Sequence, residues 1–219
     1  GRLVAAVTRG DGTFGESFLP NARYIASIPK KIHDGPAEIR GELYMPLSVF
    51  RDFQDEFSNP RNTTVGGIKQ KDPRATARYG LSFFAYDVLH REFETEVDKT
   101  AWLHAQGLNA VESRLMDVME IQAGYEVWLV RRKEADYETD GVVYKVNRVA
   151  EQRRLGATAH HPRYALAYKF QGDSGTTTVN DIEWSVSRTG KITPVAIIEP
   201  IELSGAMVGR CSLHNLAIV

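Results

Sequence analysis

Asp140 to Asn147, DGVVYKVN, is the stretch on which the reading of this chain turns. Asp140 and Gly141 form a turn, and Val142, Val143, Tyr144 and Val146 are β-branched or aromatic. The stretch therefore predicts a strand entered from a tight turn. Lys145 interrupts the apolar run, and a strand covered on both faces does not normally tolerate an unpaired ammonium. Tyr164 to Phe170, YALAYKF, repeats the arrangement around Lys169, with Arg163 just ahead of it. Two strands that each aim one lysine into a shared cleft suit a phosphate group, because ammonium point charges neutralise phosphoryl oxygens. The competing reading is two unrelated lysines that snorkel to solvent from strand ends.

Outward from these strands, the totals are those of a soluble globular protein: 219 residues, 42% apolar and 25% charged. No apolar run approaches bilayer-spanning length, and GRLVAAVTRGDG lacks the shape of a signal peptide, so no membrane association is expected. The single Cys211 excludes an internal disulfide or a cysteine-rich metal cage within the chain, and a reducing cytoplasmic setting is expected. With a net charge of −1, any nucleic-acid surface must come from local clustering.

Gly1 to Val7 reads as the second half of a hairpin, so the chain is expected to be a fragment. TRGDGTFGE, Thr8 to Glu16, is a glycine-rich loop whose backbone can lie close to a ligand, and Arg9 is its candidate contact. EIRGELYMP, Glu38 to Pro46, alternates as a strand. It puts Ile39, Gly41, Leu43 and Met45 on one side and Glu42 on the other, where Glu42 could grip a sugar hydroxyl or a metal. Leu47 to Phe57 fits a helix with Ser48 as cap and a core-facing stripe of Phe50, Phe53 and Phe57. Asn-Pro and Gly-Gly then predict a break over 57–67. Arg61, Lys69, Lys71, Arg74 and Arg78 form the clearest local candidate for a phosphate-backbone surface, against the plainer reading of a solvated helix face.

LSFFAYDVL, Leu81 to Leu89, predicts a strongly apolar strand, with Tyr86 near its end a candidate platform for a base. Helices are expected over Thr100 to Asn109 and Ile121 to Arg132, as an outer layer without chemistry. A short helix over Val149 to Leu155 separates the lysine strands, and His160 and His161 read as surface residues. A polar linker after Phe170 suggests a boundary near Gly172. The expected domains are 1–172 and 173–219, the second a set of short strands with turns at Thr189-Gly190-Lys191 and Ser204-Gly205. Three strands are too few to close a barrel, so this domain too is expected to be cut short.

TRGDGTFGE, EIRGELYMP, FSNPRN, DPRATA, LSFFAYDV, DGVVYKVN, LGATAHHPRYALAYKF and SRTGKITPVAIIEP, in this order, closely resemble the NAD-dependent DNA ligases of bacteria. DGVVYKVN or the second lysine strand alone would indicate only the wider nucleotidyltransferase superfamily; TRGDG and NPRN single out the NAD-dependent branch. The resemblance implies an α+β fold of the nucleotidyltransferase, ATP-grasp-like type, with antiparallel sheets flanked by helices, followed by the start of an oligonucleotide-binding (OB) barrel. It implies an enzyme that takes AMP from NAD and seals nicks in double-stranded DNA through enzyme–AMP and DNA–adenylate intermediates, in replication and repair. Lys145, Lys169 and Asp140 take the catalytic positions. Arg9, Glu42, Tyr86, Lys145 and Lys169 hold the nucleotide, and Arg61, Lys69 and Arg132 meet DNA. Asp140, and alternatively Glu42, would meet Mg2+ or Mn2+. Zn2+ belongs only to a part of the family's sequence not present here. A monomer in the bacterial cytoplasm, at the nucleoid, is the corresponding expectation.

The chain departs from the family pattern in places. The family's nucleophile lies in a Lys-x-Asp-Gly motif upstream of TRGDG, which this sequence does not contain, so the chain alone is expected not to self-adenylate. Lys69 stands where the family usually has arginine, which keeps the charge but loses bidentate phosphate contact. The alternatives are a non-catalytic relative that only binds nucleotide or DNA, and an ATP-dependent ligase or capping-type enzyme.

Overall fold

In the computed structural model, which describes residues 1–159, 161–172, 174–203 and 206–214, EIRGELY forms strand β1 (Glu38–Tyr44). β1 pairs antiparallel with β2 (Ser82–Leu89). Alternation puts Ile39 and Leu43 on one face with their partners Val88 and Phe83. That face meets two apolar clusters, Met45 with Ile25, Phe50, Phe53, Tyr79 and Leu81, and Ala85 and Val88 with Leu103, Leu108 and Ala110. The opposite face carries Tyr44 stacked on Phe84 at 4.6 Å, with Tyr137 edge-on to both. Across the register shift, Ala85 faces Gly41 and Asp87 faces Arg40. Tyr86 is thus the extra residue of a β-bulge.

Helix α1 (Leu19–Ala22) is a single turn, and α2 (Leu47–Phe50) passes into a 3-10 turn at Arg51–Phe53, shorter than the helix expected over 47–57. Ser48 does not cap it. Pro46 occupies the cap position, and the Ser48 N–H and hydroxyl both donate to Asp136 at 2.6 Å. Phe50 and Phe53 are buried, as the stripe predicts. The expected break over 57–67 is instead helix α3 (Pro60–Ile68). Asn59 accepts from the Asn62 N–H and Pro60 fills the first turn, where its missing donor costs nothing. Asn21 then ties the chain just after this helix to the 3-10 segment Pro73–Tyr79 by donating to the Gln70 carbonyl and the Thr76 hydroxyl, both at 2.9 Å.

Helix α4 (Glu96–Ala105) starts four residues before the expected Thr100, because Thr95 and Asp98 form a reciprocal capping box. Helix α5 (Ile121–Arg131), strand β3 (Gly141–Lys145), helix α6 (Val149–Leu155) and strand β4 (Ala165–Lys169) follow. The N-terminal strand expected over 1–7 is not formed; Arg2 and Val7 make isolated bridges to Lys31 and Ser17. His160 and the Ser204-Gly205 turn lie outside the described residues.

The chain divides into two compact units, Gly1–Phe170 and Gln171–Val219. The second holds a three-stranded antiparallel sheet of β5 (Val179–Val186), β6 (Ile192–Leu203) and β7 (Ala206–Ser212) in the order β5-β6-β7. Pro194, Ala196 and Ile198 alternate into its buried side. The first unit mixes helices with antiparallel sheets, the α+β class expected from sequence, and the second holds antiparallel strands.

Candidate active site

Strands β3 and β4 form a two-stranded antiparallel ribbon in which Gly141 faces Lys169 and Lys145 faces Ala165. Facing residues share a side, so Lys145, Val143, Gly141, Ala165, Ala167 and Lys169 all lie on one face. The two lysines stand at opposite ends of it, four ladder positions or about 13 Å of strand rise apart. Between them the floor is small or apolar, with Val143 exposed. Gly141 must be glycine here, since a Cβ would lie 2.7 Å from the Tyr168 carbonyl oxygen and 2.8 Å from the Lys169 Cα. Helix α5 covers the other face, where Tyr144 donates to the Ile121 carbonyl at 2.7 Å and Tyr125 stacks on Tyr168 at 4.2 Å.

At one end, Lys169 Nζ lies 3.4 Å from Asp140, both well exposed. The neighbouring Phe170 is buried beneath Arg132, whose guanidinium sits 4.8 Å from the ring centre. Arg132 thereby stands beside the Asp140–Lys169 end. At the other end, Lys145 Nζ lies 3.4 Å from Glu96, at the start of α4. Glu96 also accepts from Lys99 and from Gln152, each at 2.9 Å, and Lys99 reaches on to Asp87 in β2 at 2.7 Å. Gln152 donates in addition to the Val146 carbonyl at 2.6 Å, pinning the exit of β3.

Burial works to raise the Glu96 carboxyl, but hydrogen bonds from Lys99 and Gln152 and the charges of both lysines hold it below the ordinary glutamate range. Burial likewise works to lower Lys99, and hydrogen bonds to Asp87 and Glu96 with their charges overcome it, leaving its ammonium above the usual lysine range. Asp87, Lys99, Glu96 and Lys145 form a line of alternating charge from the β2 bulge to the lysine ribbon.

TRGDGTFGE folds as a closed loop: the Thr8 N–H donates to the Glu16 carbonyl at 2.9 Å, and Asp11 accepts from the Thr13 and Phe14 N–H groups at 2.8 Å. Those hydrogen bonds hold the Asp11 carboxyl below its ordinary range. Gly10 has φ +54°, and a Cβ there would lie 1.7 Å from the Phe14 carbonyl oxygen. The motif's acid and glycine therefore shape the loop, and Arg9 is its exposed cation, with no ion pair among the described residues. Glu42 is exposed on the outer face of β1 with Tyr44 and Phe84. Tyr86 is 42% exposed at the bulge.

The basic run is partly neutralised. Lys69 pairs with Glu16 at 3.0 Å, Arg74 with Asp72 at 3.0 Å and Arg78 with Glu56 at 3.7 Å. Arg61, exposed near the start of α3, has no ion pair among the described residues. Surface cavities of about 220 and 290 Å³ lie beside Lys69 and beside Arg74, and neither is lined by the lysine ribbon. Among the described residues, no three His, Cys, Asp or Glu side chains gather to hold a metal ion, and no helix is long and apolar enough to cross a membrane.

Sequence reasoning missed Glu96, Lys99 and Asp87. The Thr95-x-x-Asp98 pattern was the available signal, since it marks the helix start that puts Glu96 in the first turn.

A family profile described as the NAD-dependent DNA ligase adenylation domain matches residues 1–173, and one described as the NAD-dependent DNA ligase OB-fold domain matches residues 176–219. Curated relatives named DNA ligase are similar over almost the whole chain. That of Shouchella clausii (strain KSM-K16) is 39% identical over 98% of this chain and 34% of its own length. That of Syntrophomonas wolfei subsp. wolfei (strain DSM 2245B / Goettingen) is 40% identical over 100% and 35%. That of Halothermothrix orenii (strain H 168 / OCM 544 / DSM 9562) is 40% identical over 98% and 34%. The chain spans about a third of the length of these relatives. Matched by the one profile over 1–173 and by the other over 176–219, the chain belongs to the NAD-dependent DNA ligase family.

Proposed function

We propose that this chain supplies the adenylate-handling and phosphate-neutralising residues of a ligase that takes AMP from NAD and seals nicks in duplex DNA. The observation that carries the reading is the exposed β3–β4 face, with a lysine at each end and small residues between. Transfer of AMP from NAD to the enzyme with release of nicotinamide mononucleotide, its passage to a DNA 5′-phosphate, and its final displacement by a 3′-hydroxyl all build charge on phosphoryl oxygens. Positioned cations that neutralise this charge lower each barrier. Lys145 and Lys169 serve as those cations. Val143 and the alanines between them leave room for a nucleotide to lie flat.

Arg9 on its glycine loop contacts the nucleotide, Glu42 takes the ribose hydroxyls and Tyr86 stacks against the base. Arg61, Lys69 and Arg132 meet the nicked duplex, Lys69 by exchanging Glu16 for a phosphate. Asp140 sits beside Lys169 and orients it. The donor set suits magnesium, which takes one or two carboxylates and completes its shell with substrate phosphates and water. Asp140, and alternatively Glu42, would hold it, and the ion would supply further neutralisation of the phosphates. A chromosomal substrate puts the protein at the bacterial nucleoid.

The test uses the full-length protein with radiolabelled NAD and nicked DNA. Lys145→Ala and Lys169→Ala should each lower sealing on the order of 10²-fold, the cost of removing one transition-state donor. Near-normal sealing by either variant overturns the assignment. So does a stable AMP adduct on either lysine, because the proposed role is to neutralise phosphate and not to attack it.

A further inference from the structure

The contacts on Glu96 are unequal. Lys99 and Gln152 approach its carboxylate to 2.9 Å, whereas Lys145 stands off at 3.4 Å and is the most exposed of the three charged side chains. Lys99 is itself divided between Glu96 and Asp87, with the shorter contact, 2.7 Å, to Asp87. Along this line, the more of Lys99 that Asp87 takes, the more negative charge Glu96 has left for Lys145. A phosphate arriving at the ribbon must compete with Glu96 for the same ammonium.

We propose that Glu96 is a positioning residue that holds Lys145 between turnovers, and that Lys99, shared with Asp87, sets how firmly it is held. The inference rests on the reading of Lys145 as a phosphate contact. Glu96 and Gln152 fix where the Lys145 side chain leaves the ribbon, since Gln152 joins Glu96 to the Val146 carbonyl. The weak third contact keeps the ammonium oriented yet available. A further consequence is a link from the β2 bulge that bears Tyr86 to the end of β3, two elements not paired in one sheet.

The inference makes predictions of opposite sign. Glu96→Gln removes the competitor for Lys145, so AMP should bind the full-length protein more tightly, by about two- to fivefold, the range of a partly exposed ion pair. Asp87→Asn releases Lys99 to Glu96 and should also tighten AMP, by less. Lys99→Met leaves Glu96 to Lys145 alone and should weaken AMP by a similar factor. In Glu96→Gln the sealing rate at saturating substrate should fall while affinity rises, because Lys145 is no longer held in one direction. Calorimetric titration with AMP, on variants whose melting shows a folded protein, reads all three.

A merely structural network would lower stability in every variant without reversing the sign of the affinity change. Equal or weaker AMP binding by Glu96→Gln overturns the inference, as does unweakened binding by Lys99→Met. Should Lys99→Met fail to fold, Asp87→Asn with Glu96→Gln still decides. If Lys145→Ala binds AMP and seals normally, the underlying reading fails. If Lys145→Ala is impaired but the signs do not separate, only the positioning role fails.

Discussion

At one end of the β3–β4 ribbon Lys145 meets Glu96, and at the other Lys169 meets Asp140, both at 3.4 Å. The distance is the same and the surroundings are not. The Lys145 and Glu96 side chains are 29% and 16% exposed, and Glu96 has two further donors. The Lys169 and Asp140 side chains are 73% and 88% exposed, in water that screens the attraction. A contact length alone therefore says little about what an ion pair does. One end is a joint between elements, while the other is a loose pair that a ligand can open at little cost.

The sharpest way to break this comparison is to delete each lysine in the full-length protein. Both alanine variants should lose sealing, but only Lys145→Ala should lower the melting temperature, because it alone takes charge from the covered network. Equal melting shifts would erase the difference between the two ends. Next in size, Glu96→Ala should destabilise by about 2 kcal/mol, less than the roughly 3–5 kcal/mol for breaking a fully buried pair, because the Glu96 and Lys145 side chains keep 16% and 29% of their surface exposed. Asp140→Ala should leave the melting temperature in place, and chemical denaturation reads both.

The pH dependence follows in size. The folded Glu96 carboxyl lies below its unfolded value, so its contribution is present above about pH 4.3 and is lost as pH falls through the folded value. Lys99 lies above its unfolded value, so its contribution is present below about pH 10.4 and is lost as pH rises through the folded value. Glu96→Gln should flatten the acid limb of a stability profile.

The smallest effect concerns DNA. Arg61→Ala should lower the salt slope of binding by about 1, as the loss of one phosphate contact does. Arg78→Ala should change it less, since Arg78 faces Glu56 and lies over the Phe53 and Tyr79 rings. Equal slopes for the two would mean that ion pairing within the fold does not sort the basic cluster.

Lys145 and Lys169 are legible in the sequence because a cation within an apolar or aromatic run has no packing reason to be there. The β1 alternation is legible for the same kind of reason, as period-two burial leaves a mark in the letters. Helix α3 is not, because Asn-Pro reads as a break unless proline is seen as the first helical residue with asparagine as its cap. The partner of Lys145 is not legible either. Glu96 lies 49 residues away and reaches β3 only because the 94–97 segment bonds to the chain just after it, Glu96 N–H to the Asn147 carbonyl and Val149 N–H to the Glu94 carbonyl. Such a contact follows from tertiary packing and leaves no local pattern. Lys69 shows the same limit, since nothing near it in sequence announces Glu16.

The central claim is that the lysine-bearing face of the β3–β4 ribbon receives the adenylate. A crystal structure of the full-length protein soaked with AMP tests it most directly. The account predicts the phosphate within hydrogen-bond distance of Lys145 Nζ and Lys169 Nζ, with Lys145 drawn away from Glu96. AMP seated elsewhere, with both lysines still on Glu96 and Asp140, would contradict it.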